Sequence, residues 1–328
     1  MPSRRRASCT AMALDLFSIR AAHERIRPHI HRTPVLTSAR LDAACGGSLF
    51  FKCENLQKVG AFKARGAANA VFALSDAAAR RGVATHSSGN HAAAIARAAK
   101  LRGIPAYIVM PANSSKVKIR AVEGYGGRIE LCEPTQAARE AACARIIAAT
   151  GATLIHPFEN ELVMAGQGTA AIELLEDEPG LDLILCPVGG GGLLSGTAMA
   201  AKSIRPQIKV IAVEPAGASD AAQSFRAGHL VPLATTNTIA DGLRTNVGAP
   251  NFAVIRQYVD DIVTVEEASI IAAMRTIWET MKIVIEPSAA VPYAAILEGK
   301  VDVTSKRVGI IVTGGNVDLD ALPWVKKS

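Results

Sequence analysis

Aromatic side chains are scarce in this chain: 4% of 328 residues, with two Trp and four Tyr. A surface that stacks bare bases needs more of them, which argues against nucleic-acid binding. No apolar run approaches the roughly 20 residues of a membrane-spanning helix. The longest lie at 183–188 and 308–312, so no membrane segment is expected. Paired cysteines are also missing. Cys9, Cys45, Cys53, Cys132, Cys143 and Cys186 form no C-x-x-C and no Cys/His ligand spacing, which removes zinc and thioredoxin-like redox readings. Scattered thiols suit a reducing compartment, and a cytoplasmic location is expected. The chain has no internal repeat and no low-complexity linker. Its excess of positive charge is local. Arg4, Arg5, Arg6, Lys326 and Lys327 sit at the ends, and without them 31 basic residues face 29 acidic ones. The basic balance thus describes the termini, not a face for an acidic polymer or a lipid surface.

What is present is core material: 49% apolar against 20% charged residues, in a length that suggests about two domains. Residues 1–13 hold the three arginines with no apolar stretch behind them, so they are no secretory signal. They read as a disordered leader; an Arg-rich, acid-free stretch also suits a transit peptide, and Met12 offers a second start. Beyond it, short apolar runs alternate with helical stretches. Runs at 83–85, 106–110, 128–132, 181–186, 209–213 and 308–312 read as strands, and 91–100, 136–150, 193–203 and 266–282 as helices. That alternation predicts a parallel α/β architecture with helices on both faces. Polar and Gly-rich clusters at 86–91, 187–192 and 313–316 each follow a strand, the edge where open parallel sheets bind ligands.

Gly189, Gly190, Gly191 and Gly192 follow a strand and open a helix. Four residues without Cβ let several N–H groups face one anion, with the helix dipole adding to the field. The run is not G-x-x-x-x-G-K-[ST] or G-x-G-x-x-G, so a small phosphate monoester is expected rather than a nucleotide. Lys63 lies in the stretch GAFKARGA, among small and apolar residues with Arg65 nearby. Such a lysine is expected to lose proton affinity, as a Schiff-base nucleophile requires. A phosphate-bearing aldehyde cofactor needs both features.

The motifs GAFKARGA, SSGNH, PVGGGGLLSG, EPSAA and TGGNVD, in this order, resemble the pyridoxal-phosphate enzymes of fold type II. Within that group the chain is most similar to the serine racemase and serine/threonine dehydratase family, from about His31 to Lys326. The resemblance implies a tryptophan synthase β-like α/β fold, with two parallel-sheet domains and the cofactor between them. The expected division is 14–74 with 156–328 as the large domain and 75–155 as the small one. The resemblance implies that Lys63 carries the cofactor, that Phe62 lies against its ring and that Asn90 meets its 3-hydroxyl. It implies that Gly189–Gly192 hold the phosphate and that Thr313 faces the pyridine nitrogen. Glu214, Ala218 through its carbonyl, and Asp220 match a site for Mg²⁺ or Ca²⁺. Ser88 matches the serine on the ring face opposite the lysine, and Arg139 an arginine near the active site.

Two positions depart from the family pattern: Ala61 stands where Ser is usual, and Ala92–Ala94 where a Gln is frequent. The sequence His156-Pro157-Phe158-Glu159 is less polar than its counterparts. The loop of Ser87, Ser88, Asn90 and His91 opens a helix and is expected to hold the substrate carboxylate, and Ser87, Ser88 and Asn90 suit an N-cap of that helix as well, the two roles being compatible. A hydroxyl at Thr313 does not hold a pyridine nitrogen protonated as Asp would, which suits loss of a β-hydroxyl. The expected activity is therefore a lyase that dehydrates L-serine, L-threonine or 3-hydroxyaspartate, acting as a homodimer on a small amino acid. Racemisation of serine or aspartate by Lys63 and Ser88 is the competing enzymatic reading, and a non-catalytic binding protein the other.

Overall fold

Five of the six strands in the larger sheet are parallel, and the inner residues of the central ones are buried on both faces, which explains why 181–186, 209–213 and 308–312 read as unbroken apolar runs. The computed structural model describes residues 14–87, 89–114 and 116–325. The leader 1–13 and Ser88 lie outside the described residues. The strands are β1 (Val35–Leu36), β2 (Ser48–Cys53), β3 (Val83–His86), β4 (Ala106–Pro111) and β5 (Arg128–Cys132). They continue with β6 (Thr153–Leu154), β7 (Leu183–Pro187), β8 (Lys209–Pro215), β9 (Asp261–Val265) and β10 (Arg307–Val312). One sheet runs β1-β2-β10-β7-β8-β9 and the other β5-β4-β3-β6. All pairings are parallel except β1 with β2.

The helices are α1 (Leu16–Ile26), α2 (Ala39–Cys45), α3 (Lys63–Phe72), α4 (Asp76–Arg81), α5 (Asn90–Arg102), α6 (Lys116–Gly124) and α7 (Gln136–Thr150). After them come α8 (Glu161–Asp177), α9 (Gly192–Ile204), α10 (Asp220–Ala227), α11 (Ala249–Tyr258), α12 (Glu267–Met281) and α13 (Pro287–Leu297). One core lies between the large sheet and α12 with α13, around Phe51, Met274, Tyr293 and Ile310. A second covers the opposite face, where Leu194, Ile208 and Ile255 pack. A third fills the small domain around Ile95, Ile108 and Met110. No helix among the described residues is long and apolar enough to cross a membrane.

Helix α3 is fixed by charge as well as by packing. The buried Arg65 guanidinium donates to Glu54 at 2.7 and 2.8 Å and to Glu173 at 2.8 and 2.7 Å. Lys52 Nζ sits 2.7 Å from the same Glu173 carboxylate. Two cations and two anions, all buried, thereby tie α3 to β2 and α8. Arg65 points away from the amine of Lys63, so its charge is not what lowers that amine's proton affinity, contrary to expectation from their spacing.

Candidate active site

Three strand ends deliver the candidate groups to one cavity of about 1030 Å³ between the two domains, which Lys63, Asn90, Gly189–Gly192 and Thr313 line. β3 leads into Ser87 and α5, β7 into the glycine loop and α9, and β10 into Thr313. Phe62 and Lys63 are brought to the same place by backbone: Phe62 N–H donates to the Thr313 carbonyl at 3.0 Å, and Ala61 bridges Gly314.

Lys63 is the first residue of α3. Its Nζ donates to the Pro157 carbonyl at 2.9 Å and stands 5.1 Å from the centroid of the Phe62 ring. Burial of the amine lowers its pKa to about 8, and the charge of Glu286 opposes the shift. The physical cause is thus desolvation alone.

In the glycine loop, Gly191 has φ +90° and caps α9. A Cβ there would come within 2.9 Å of Asn251 Cβ and 3.0 Å of Val247 Cγ2, so the position needs glycine for both conformation and space. The α9 N–H groups left unpaired at its start open on the cavity, which is the arrangement that receives a phosphate. The ring of Phe158 packs against Gly190 and its backbone and Cβ against Gly192, and Asn251 Nδ2 donates to the Phe158 carbonyl at 3.1 Å.

Thr313 is 3% exposed, and its Oγ1 is buried with no hydrogen-bond partner. Buried hydroxyls are rarely left so, and a ring nitrogen in the cavity would satisfy it. The lysine, the glycine cradle and this hydroxyl therefore fit a pyridine aldehyde carrying a phosphate.

Helix α5 starts at Asn90 with Gly89 as its cap, and no side chain caps it. Neither Ser87 nor Asn90 is the N-cap that the sequence suggested: Ser87 Oγ accepts from Gly89 N–H at 3.3 Å, and Asn90 is already helical. The Asn90 amide is clamped. Its Nδ2 donates to Glu286 at 3.0 and 3.2 Å, while its Oδ1 accepts from Asn316 Nδ2 at 2.9 Å. One Nδ2 hydrogen is left for a ring oxygen. Glu286 and Asn316 carry no assigned role in the sequence reading, although both fall within its motifs. The signal for Glu286 is an acid directly before a proline that opens an apolar helix.

Three histidines flank the lysine side. His91 is buried, its Nε2 meets the Ile155 carbonyl at 3.2 Å, and burial holds its pKa well below the usual value. His156 is pushed down to about 4 by burial, then by the charges of His86 and Lys63. Its Nδ1 accepts from Glu159 N–H at 2.9 Å. Burial also lowers His86. All three are neutral near pH 7, so they line the wall as dipoles rather than charges. Arg139 reaches the cavity as well, with Nε donating to the Thr135 carbonyl at 3.4 Å.

Glu214 and Asp220 lie apart from the cavity, both buried. Glu214 accepts from the N–H groups of Ala221 and Ala222 at 3.1 and 2.9 Å, and Asp220 Oδ2 from Val247 N–H at 2.6 Å. Burial raises both pKa values. Asp220 Oδ1 has no partner. Hard oxygen donors with an orphaned carboxylate atom fit a divalent cation, aided by the Ala218 carbonyl. Among the described residues no three His, Cys, Asp or Glu side chains gather as a metal set.

Comparison with known proteins matches residues 26–314 to the family described as pyridoxal-phosphate dependent enzyme. The chain is 52% identical to a serine racemase of Arabidopsis thaliana, over 94% of this chain and 95% of the relative. It is 50% identical to a beta-hydroxyaspartate dehydratase of Paracoccus denitrificans, over 93% and 96%. The crystal structure of a T.th. threonine deaminase superposes with a TM-score of 0.89 at 41% identity, covering 93% of this chain and 99% of that one.

Proposed function

Since the chain belongs to the pyridoxal-phosphate dependent enzyme family, we propose that it is an ammonia-lyase acting on a β-hydroxy amino acid. The substrate is L-threonine, L-serine or 3-hydroxyaspartate, and the products are a 2-oxo acid and ammonia. The cofactor, when bound, supplies an electron sink conjugated to the substrate Cα. The remaining work falls to side chains. Lys63, whose amine is largely uncharged above about pH 8, takes the Cα proton as general base. Gly189–Gly192 and the start of α9 hold the phosphate. The Thr313 hydroxyl satisfies the ring nitrogen without fixing a proton on it, which favours departure of electrons through Cβ. The start of α5, with Ser87, Ser88, Asn90 and His91, receives the α-carboxylate, and Arg139 lies within the same cavity for a distal substrate group. Phe62 lies against the ring.

The observation that carries this reading is that the Lys63 amine and the glycine loop face one cavity whose end wall bears an unpartnered hydroxyl. The test is release of 2-oxo acid from L-serine, L-threonine and threo- and erythro-3-hydroxyaspartate by the cofactor-loaded enzyme. At least one should turn over, and Lys63→Ala should lose both turnover and the cofactor's absorbance band. Silence on all four substrates would overturn the lyase reading.

The likeness to serine racemases supports a second reading, in which Lys63 and Ser88 work on opposite faces of Cα. Glu214, Ala218 and Asp220 are assigned to Mg²⁺ or Ca²⁺, a structural rather than a catalytic ion. The free thiols of Cys45, Cys53, Cys132, Cys143 and Cys186 support a cytoplasmic enzyme. We expect a homodimer, which light scattering on the eluting protein measures directly.

A further inference from the structure

Glu286 occupies the residue before α13, where a side chain would ordinarily bond back to the helix's first N–H groups, yet it makes no such bond. Its carboxylate turns into the cavity and is 5% exposed. The close approach is built into the backbone. Glu286 N–H donates to the Gly314 carbonyl at 2.9 Å, and a Cβ on Gly314 would meet Glu286 Oε1 at 2.6 Å. The groups that hold it are neutral: Asn90 Nδ2 and the Asn316 backbone N–H. A buried acid at such expense of space asks for a task beyond packing.

We infer that Glu286 is a positioning residue for the lyase reaction: it orients the Asn90 amide toward the cofactor ring and sets a negative charge facing the Lys63 amine. This rests on the functional reading above. The geometry gives the first half. With Oδ1 fixed by Asn316 and one Nδ2 hydrogen fixed by Glu286, the Asn90 amide has one orientation and one free donor. The charge gives the second. Burial and Asp241 push the Glu286 pKa up to about 7, while Asn90, Lys118 and the Asn316 N–H oppose the shift. The charged groups around it therefore come from three elements: Asp241 in the turn Asp241–Leu243, Lys118 on α6 and Lys63 on α3. As pH rises through about 7, Glu286 gains charge and favours a protonated nitrogen on Lys63; below that it is neutral and does not.

The experiment follows the visible absorbance of the cofactor-loaded enzyme across neutral pH, with the pH–rate profile, the cofactor Kd and Tm, in Glu286→Gln and Glu286→Asp. Glu286→Gln removes the charge and keeps the shape. Its absorbance midpoint should move to lower pH by about half a unit or more, and the inflection near neutral pH in kcat/KM should vanish. Glu286→Asp keeps the charge but draws it back from Asn90. It should retain the parent midpoint while the cofactor Kd rises about threefold or more, the mark of a loosened amide clamp. Parent-like spectra and pH–rate profile in Glu286→Gln, whatever its Tm, overturn the charge role. A parent-like Kd in Glu286→Asp overturns the clamp, and should Glu286→Gln fail to fold, loss of the inflection near neutral pH in Glu286→Asp, which keeps a titrating carboxylate, overturns the charge role. Failure of the functional reading looks different: the parent itself would show no lysine-bound cofactor band.

Discussion

Under the roles proposed above, Ser88 and Lys63 are the residues that would separate dehydration from racemisation. Both need Lys63 to take the proton from one face of Cα, but only inversion needs a donor on the other. Ser88→Ala should abolish conversion of L- to D-serine and leave dehydration of the L-substrate largely intact, as chiral chromatography beside a 2-oxo acid assay will measure. Dehydration of a D-substrate should fall together with inversion. Undiminished racemisation would place the second base elsewhere. Lys63 also gives a stability signature. Its folded pKa of about 8 lies below its ordinary 10.5, so between those values the unfolded chain binds more protons and stability rises with pH. In apo-protein, the stability gap between Lys63→Met and the parent should narrow as pH climbs through that window, read from denaturant midpoints. Residue chemistry was legible where a motif carries its own logic: the lysine, the glycine loop and Thr313 meet in one cavity. It was illegible where the direction of a side chain decides. Arg65 stands two residues from Lys63 yet serves Glu54 and Glu173, and Glu286 belongs to the site although it is far from Asn90 in sequence.

Among the elements, α3 is pinned by buried charge. Its Arg65 neutralises two carboxylates that have no water to turn to, and removing one member of such a buried set costs about 3–5 kcal/mol. Arg65→Leu should therefore lower the denaturant midpoint severely, and the loss should be smaller when Glu54→Gln is combined with it. β8 and α10 carry the candidate cation pair. There the expectation is a rise in Tm on adding Mg²⁺ or Ca²⁺, lost on chelation, because an ion that binds only the native state stabilises it by mass action. Asp220→Ala should make Tm indifferent to both; a parent already indifferent would leave Glu214 as a mere cap on α10. The same scale explains what the sequence concealed. Strands β3, β4, β5, β7, β8 and β10 fall within a residue or two of the apolar runs, because strands buried on both faces show as unbroken apolar runs. Of the helices only α5, α7, α9 and α12 were read from the sequence, and α8 and α13 are among those that stayed hidden. α8 is buried nearly throughout and contains Gly166 and Gly168, while α13 holds Pro292 and has no polar face, so neither shows a 3.6-residue rhythm. The antiparallel β1–β2 pair was missed because β1 has two residues.

For the molecule as a whole, the cleft is spanned by pairs that join the small domain to the large: Asn90 with Glu286 and Lys118 with Asp241. The second pair is partly exposed, and such pairs contribute about 0–1 kcal/mol to stability. Asp241→Asn should leave Tm nearly unchanged and raise KM. It should also carry the inflection near neutral pH toward acid, since Asp241 is one of the groups that raise Glu286. A pH–rate profile superposing on the parent's would separate Asp241 from the site. The two-domain outline was legible from the alternation of runs, but the order of strands was not, because adjacency in a sheet is settled by long-range pairing. That order has a consequence for how the protein is made. The small sheet is complete once residue 154 has left the ribosome, whereas β10, near the end of the chain, fills the gap between β2 and β7. Until it is synthesised, the large sheet stands as two fragments with bare edges, open to pairing with other nascent chains. Thr313 arrives with that last strand. Capture of the cofactor is therefore a finishing step of biogenesis, and chains cut short before Arg307 should be wards of the chaperones rather than dormant enzymes.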